Sequence, residues 1–280
     1  MRTTAHIGFS KARKPGLWEY IQANNIPADH AEGEDIAAID IHSEDPHWPW
    51  IMDYVATHNM MPLFDLEFTK KELREAQWLS VRTTWRYGYP EPSNKYGYEE
   101  ITYTKNSYCS HCGTGLNQID SFRFKKIPKW GQRHFYAPFW IEDEFFISET
   151  AKGMLENSAL SGISFLPVKN KKGTEELPGV WQLVIPTVLD EGLIEVESSL
   201  ECVSLCPHCG KKKYCENGKS KTMYRKSIFD DAPDFAKSGD YFGGMPKSAS
   251  RQIIISQKAY RFLADNKLDK GLLFYPLDLF

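Results

Sequence analysis

No stretch of this chain is apolar for long enough to cross a membrane as a helix, which takes about 20 residues. The first ten residues lack the apolar segment of a secretory leader. Charge of one sign is also scarce. Lys and Arg total 34 against 37 Asp and Glu, a net charge of −3, which gives no general attraction to nucleic acid. Catalytic signatures are missing too: no phosphate-cradling glycine loop, no Gly-x-Ser-x-Gly elbow and no His-Glu-x-x-His helix. An enzyme would have to build its site from dispersed side chains. The three neighbouring acids Glu142, Asp143 and Glu144 precede a strand and read as exposed. Cysteine is sparse, at 6 in 280 residues. Cysteines spaced for metal, with no leader, point to a reducing cytoplasm. The expectation is a cytoplasmic protein without a membrane partner.

What the chain does contain is organised around two short motifs, Cys109-Ser110-His111-Cys112-Gly113 and Cys206-Pro207-His208-Cys209-Gly210. Two residues between the cysteines let one tight turn aim both sulfurs at one point. The glycine that follows can take φ > 0 and close the turn. A redox Cys-x-x-Cys opens a helix, which Gly113 and Gly210 oppose. Four thiolates from two such turns make a tetrahedral zinc site, so Cys109, Cys112, Cys206 and Cys209 are the expected ligands of one structural Zn2+, as in a zinc ribbon. The rival set is local: Cys202, Cys206, Cys209 and Cys215. It would strand the first motif. His111 and His208, between the ligands, read as surface residues.

Residues 1–95 read as a small α/β module. Strands are expected at His6–Phe9, Asp35–Ile41, Leu63–Phe68 and Val81–Tyr87, and helices at Pro15–Asn24 and Pro49–His58. Thr69 and Glu72 form a capping box, starting a helix whose buried side takes Leu73, Ala76, Trp78 and Leu79. Asp40, His42, Glu44, Asp45 and His47 crowd one strand end and read as a solvated loop. Tyr89–Gly97 reads as a linker.

Residues 96–280 contain an internal repeat, over about 109–168 and 206–277. Phe145-Phe146-Ile147-Ser148 opens one copy and Ile253-Ile254-Ile255-Ser256 the other. Ala151 then matches Ala259, Leu155 matches Leu263, Gly162 matches Gly271, Phe165 matches Phe274 and Pro167 matches Pro276. Each copy predicts a strand, a Ser-capped helix, a glycine turn and a second strand. Between them, strands are expected at Trp181–Val188 and Leu193–Val203, and Phe229–Gly244 reads as an acidic loop. The expected fold class is thus α+β: the N-terminal module plus a duplicated knuckle and strand–helix–strand unit sharing one zinc. Lys211 to Lys213, Lys219 and Lys221 form a basic patch beside the metal, but Glu195, Glu197 and Glu201 lie close by and favour a solvated hairpin.

The paired Cys-x-x-Cys-Gly motifs, with Ser-x-x-Ala-x-x-x-Leu and Gly-x-x-Phe-x-Pro near the C-terminus, resemble the double-CXXCG family of bacterial polymorphic-toxin immunity proteins. The resemblance covers roughly residues 100–280. It implies a cytoplasmic protein that binds and blocks a cognate toxin, with zinc holding the fold. Aromatic and Arg side chains are favoured at the centre of such a contact, so Trp48, Trp85, Arg86 and Tyr87 are candidates if exposed; ordinary core packing is the alternative for each. The competing classes are a zinc-ribbon nucleic-acid binder and an enzyme with no recognisable motif.

Overall fold

The computed structural model describes residues 1–196, 199–244 and 247–280, without the side chain of Cys202. The chain begins with strand β1 (Arg2–Ser10), helix α1 (Pro15–Ala23), β2 (Asp29–His30), β3 (Ile36–His42), α2 (Trp48–Thr57) and β4 (Leu63–Glu67). These strands form one antiparallel sheet in the order β2-β3-β1-β4. Alternation decides its faces. Ala5, Ile7 and Phe9 of β1 join Ala37, Ile39 and Ile41 of β3 in a core closed by Leu17 and Ile21 of α1 and Ile51 and Val55 of α2. Each helix offers its apolar residues four apart, on one face. Each also starts with proline in the first turn, where the missing N–H has no helical partner to lose. The opposite sheet face is open and mixed, with exposed Ile36 and Leu63 among its polar residues. There His6 bridges neighbouring strands, with Nδ1 2.7 Å from Asp40 Oδ1 and Nε2 3.2 Å from Asp65 Oδ2.

The capping box at Thr69 and Glu72 forms, but helix α3 ends early, at Lys70–Glu75. Ala76 is already extended, with ψ 134°. Trp78 and Leu79 therefore lie in strand β5 (Trp78–Thr83) rather than on the helix. This strand carries the chain into its C-terminal half. Next come α4 (Tyr98–Thr102), β6 (Tyr103–Thr104), β7 (Asn117–Gln118), β8 (Arg123–Phe124), β9 (Phe135–Tyr136), β10 (Phe145–Ser148), α5 (Glu149–Glu156) and β11 (Ser164–Asn170). Then follow β12 (Glu176–Val184), β13 (Leu200–Leu205), β14 (Lys212–Glu216), β15 (Met223–Tyr224), β16 (Phe235–Lys237) and β17 (Tyr241–Phe242). The chain closes with β18 (Ile253–Ser256), α6 (Gln257–Asp265), β19 (Leu272–Pro276) and β20 (Asp278–Leu279). The fold is mixed α+β. No helix among the described residues is long and apolar enough to cross a membrane. Residues 197 and 198, inside the strand expected over Leu193–Val203, lie outside the described residues. The segment read as the loop Phe229–Gly244 includes the short strands β16 and β17.

Both strand–helix–strand segments take the expected form, down to their caps. Ser148 accepts a hydrogen bond from the Ala151 N–H, and Ser256 accepts one from the Ala259 N–H. Asn157 and Asn266 end the two helices, their side-chain amides donating to Gly153 O and Phe262 O. Gly162 and Gly271, which precede the second strands, adopt φ of +82° and +87°.

The sheets around them reveal an arrangement that local pattern could not. Strand β12 lies between β10 and β11 in the order β8-β11-β12-β10-β9. In the other sheet, β16-β18-β5-β19, the strand between β18 and β19 is β5. So β5 precedes the first cysteine motif but completes the sheet that follows the second. Conversely, β12 precedes the second motif and completes the sheet that follows the first. Strand β5, which lies within residues 1–95, thus pairs with β18 and β19 near the C-terminus. Just beyond β5 and β12 the chain turns back to its own half. Tyr87 N–H donates to Ala137 O at 3.1 Å, and Leu189 N–H donates to Lys237 O at 2.9 Å. One hydrophobic core spans both sheets, containing Leu79, Val81, Phe145, Ile147, Leu155, Leu183, Ile253, Ile255 and Leu263.

Candidate metal centre

The two cysteine turns are built alike. In the first, Cys109 N–H donates to Thr114 O at 2.8 Å and Gly113 N–H donates to Cys109 O at 2.8 Å. In the second, Cys206 N–H donates to Lys211 O at 2.9 Å and Gly210 N–H donates to Cys206 O at 3.0 Å. Gly113 and Gly210 sit at φ +85° and +72°, the left-handed region that glycine enters without steric cost. The surroundings of the two glycines differ. A Cβ on Gly113 would lie 2.5 Å from the backbone of Lys247, while one on Gly210 would meet nothing within 4 Å. The first turn is thus clamped against the chain near residue 247, and the second faces outward on its hairpin of β13 and β14.

The turns meet. Cys109 Sγ lies 3.8 Å from Cys206 Sγ, and Cys112 Sγ lies 3.5 Å from Cys209 Sγ. All four sulfurs fall within 4.8 Å of one another. A tetrahedron with metal–sulfur bonds of about 2.3 Å has edges of about 3.8 Å, so the spacing suits one tetrahedral ion. Cys112 and Cys206 are buried, Cys109 is partly buried and Cys209 is exposed. A donor set of four thiolates, with no oxygen ligand, suits soft or borderline metals rather than Mg or Ca.

The electrostatics point the same way. Burial opposes ionisation of Cys112, but hydrogen bonds from Thr114 and from neighbouring thiols outweigh it and bring its thiol down to about 6. Cys206 goes the other way, burial pushing it up to about 11. Cys209 is lowered, chiefly by the Lys211 backbone N–H. Crowded thiols share protons in this manner because they cannot all carry negative charge at such distances without a cation among them.

Thr114 is a member of this site that the motif did not disclose. Its Oγ1 lies 3.2 Å from Cys112 Sγ and 3.8 Å from Cys209 Sγ. The only sequence signal is its place directly after Gly113, where the second motif has Lys211. The motif histidines are exposed, as expected, and their rings also approach each other, with centroids 4.4 Å apart. The rival ligand set does not assemble. Cys215, opposite Cys202 in backbone register, is disulfide-bonded and so is not a thiolate donor.

The other sequence candidates scatter. His42 contacts Thr4 Oγ1 at 2.8 Å and His47 contacts the Tyr20 hydroxyl at 3.0 Å, while Asp40 serves His6. No common site results. The basic patch is largely occupied: Lys211, Lys212 and Lys221 pair with Glu191, Glu195 and Asp278. Lys213 is buried, donating to Ser248 O. Of the acidic triplet, Glu144 is buried rather than exposed, bound by Lys237 and by Gln182 Nε2 at 3.0 Å. Trp85 and Tyr87 pack against a buried aromatic cluster with Tyr136, and Trp48 packs on the N-terminal core. Arg86 is half-buried and paired with Glu142. Comparison with family models and with curated proteins returns no match for this chain.

Proposed function

We propose that this protein works by binding another protein, in the manner of a toxin-neutralising immunity protein, and that zinc serves its fold. The observation that carries this reading is the cluster of Cys109, Cys112, Cys206 and Cys209, supplied by both halves of the C-terminal region. Four protein ligands fill a tetrahedral zinc, leaving no position for a water or a substrate. Metal binding then contributes to folding, because the site does not exist in the unfolded chain. The matching caps, turns and crossed strands support a tandem duplication, with repeats of about 78–170 and 176–279 that exchange their first strands. The zinc clips the exchanged repeats where their cysteine turns meet.

A scaffold of this kind presents a fixed surface, and a complex of standard size would bury about 1,600 Å². The occupied lysines beside the metal weigh against a nucleic-acid groove, which requires free cations along a strand. Co-expression with the toxin encoded beside the gene tests the reading. Growth should be rescued by the intact chain and lost when the four cysteines become serine. No neighbouring toxin and no protein recovered with the chain in a pull-down would contradict it.

A further inference from the structure

Beside the first cysteine turn lies a cleft of about 400 Å³, lined by Trp140, Tyr98, Tyr103 and Asp143 among others. Trp140 is the centre of an exposed aromatic group at its mouth. Its ring centroid lies 4.6 Å from that of Tyr89 and 4.5 Å from that of Tyr96, and Tyr89 stacks on Phe139 at 4.9 Å. These four side chains remain 39–52% exposed, which makes a contiguous aromatic patch rather than scattered surface residues. Trp140 and Tyr96 adopt φ of +74° and +58°. Bulky residues rarely enter that region, and such strain gathers at ligand sites. The fold does not demand the indole. Counting back equally from the two capping serines, the residue matching Trp140 is Ser248.

The charges inside the cleft are unequal in status. Glu142 is paired with Arg86, and Glu144 with Lys237. Arg251 turns its guanidinium to the carbonyls of Ser238 and Gly239 and lies 4.0 Å over the Tyr241 ring. Among the described residues, the Asp143 carboxylate accepts a single hydrogen bond, from the Arg251 backbone N–H at 3.2 Å. Among the described residues no cationic side chain forms an ion pair with it. Its negative charge is felt nearby: burial first, then Glu99, Tyr96 and Asp143, hold the Tyr98 hydroxyl well above its ordinary range.

We propose that this cleft receives an arginine side chain from a protein partner, its guanidinium against the Trp140 ring and the Asp143 carboxylate. An aromatic face attracts a cation, and a carboxylate adds charge-assisted hydrogen bonds. The planar guanidinium meets both demands at once, which the compact ammonium of lysine does less well. This inference rests on the protein-binding reading and names the surface through which it acts.

The test is calorimetric titration of the whole protein with alternating Gly–Arg, Gly–Lys and Gly–Glu octapeptides. The Gly–Arg peptide should bind saturably, the Gly–Lys peptide more weakly and the Gly–Glu peptide not at all. Asp143→Asn and Trp140→Gly should each weaken Gly–Arg binding by about tenfold or more. Asp143→Asn preserves shape, and glycine suits the backbone at position 140, so both variants should fold, as thermal melts will verify. No Gly–Arg binding below about 1 mM, or equal binding by wild type and both variants, overturns the proposal. The assay needs no toxin, so its outcome is separate from that of the co-expression test. A toxin bound equally by wild type and both variants would remove the cleft's role and leave the protein-binding reading standing.

Discussion

Cys112 and Cys209 bring their sulfurs to 3.5 Å across a sequence separation of 97 residues, the same separation that divides Cys109 from Cys206. Equal spacing means that each turn presents its first and second cysteine to the matching cysteine of the other. Several consequences of this meeting can be measured.

The matched leucines of α5 and α6 should have matched worth. Leu155 and Leu263 are each 1% exposed, in the core shared by both sheets. Replacing either with alanine should cost about 2–5 kcal/mol in denaturant unfolding, since the cavity only partly relaxes. A cost below about 1 kcal/mol at either position would remove it from that core. Losing either helix cap, Ser148→Ala or Ser256→Ala, should cost about 1 kcal/mol.

Crossed strands predict complementation. The turn between β11 and β12 is exposed at Lys171 and Lys172, so the chain can be divided there. The N-terminal fragment then carries β5, which the other fragment's sheet needs, and the C-terminal fragment carries β12. Co-expressed fragments should co-purify as a stable pair, and size-exclusion chromatography should show little of either alone. Two independently folded monomers would contradict the exchange.

The buried pair of Glu144 and Lys237 should be costly to break and cheap to replace. Lys237→Met alone leaves a buried carboxylate without its cation and should destabilise by about 3–5 kcal/mol. Adding Glu144→Gln, which keeps the Gln182 contact, should recover a large part of that loss in a double-mutant cycle.

His6 gives the N-terminal sheet a defined pH response. Partial burial works against its protonation, but hydrogen bonds and charge from Asp40 and Asp65 prevail and raise it above 6.5. A histidine raised on folding contributes stability below its unfolded value, and that contribution disappears as pH rises through the folded value. The stability difference between wild type and His6→Gln should therefore be larger near pH 5 than near pH 8. The side chain is 36% exposed, so solvent screening keeps the effect small. A difference independent of pH would contradict the pairing.

Local features were the legible ones. The cysteine turns, the Thr69 capping box and the serine caps each lie within a few residues, and each formed. Strand β5 was less legible, because Trp78 and Leu79 follow a helix start at spacing that also suits a helix. What makes them a strand is pairing with residues 253–256 and 272–276, nearly two hundred positions away. Glu144 read as exposed from its acidic neighbours; its partner Lys237 is 93 residues on. Which aromatics are exposed was not legible either. Trp85 and Tyr87 share a cluster with Tyr136, while Tyr89, two residues later, is on the surface. Burial at that step depends on where the distant β9 strand runs.

The metal content of the purified protein, paired with sulfur-ligand spectroscopy, tests the account most directly. Protein prepared reduced and without added metal should hold one zinc per chain, with four sulfur ligands at about 2.3 Å. Its removal by a chelator should unfold the C-terminal region cooperatively. Less than half an equivalent, oxygen ligands in the first shell, or unchanged stability after chelation would contradict a zinc that clips the two halves together.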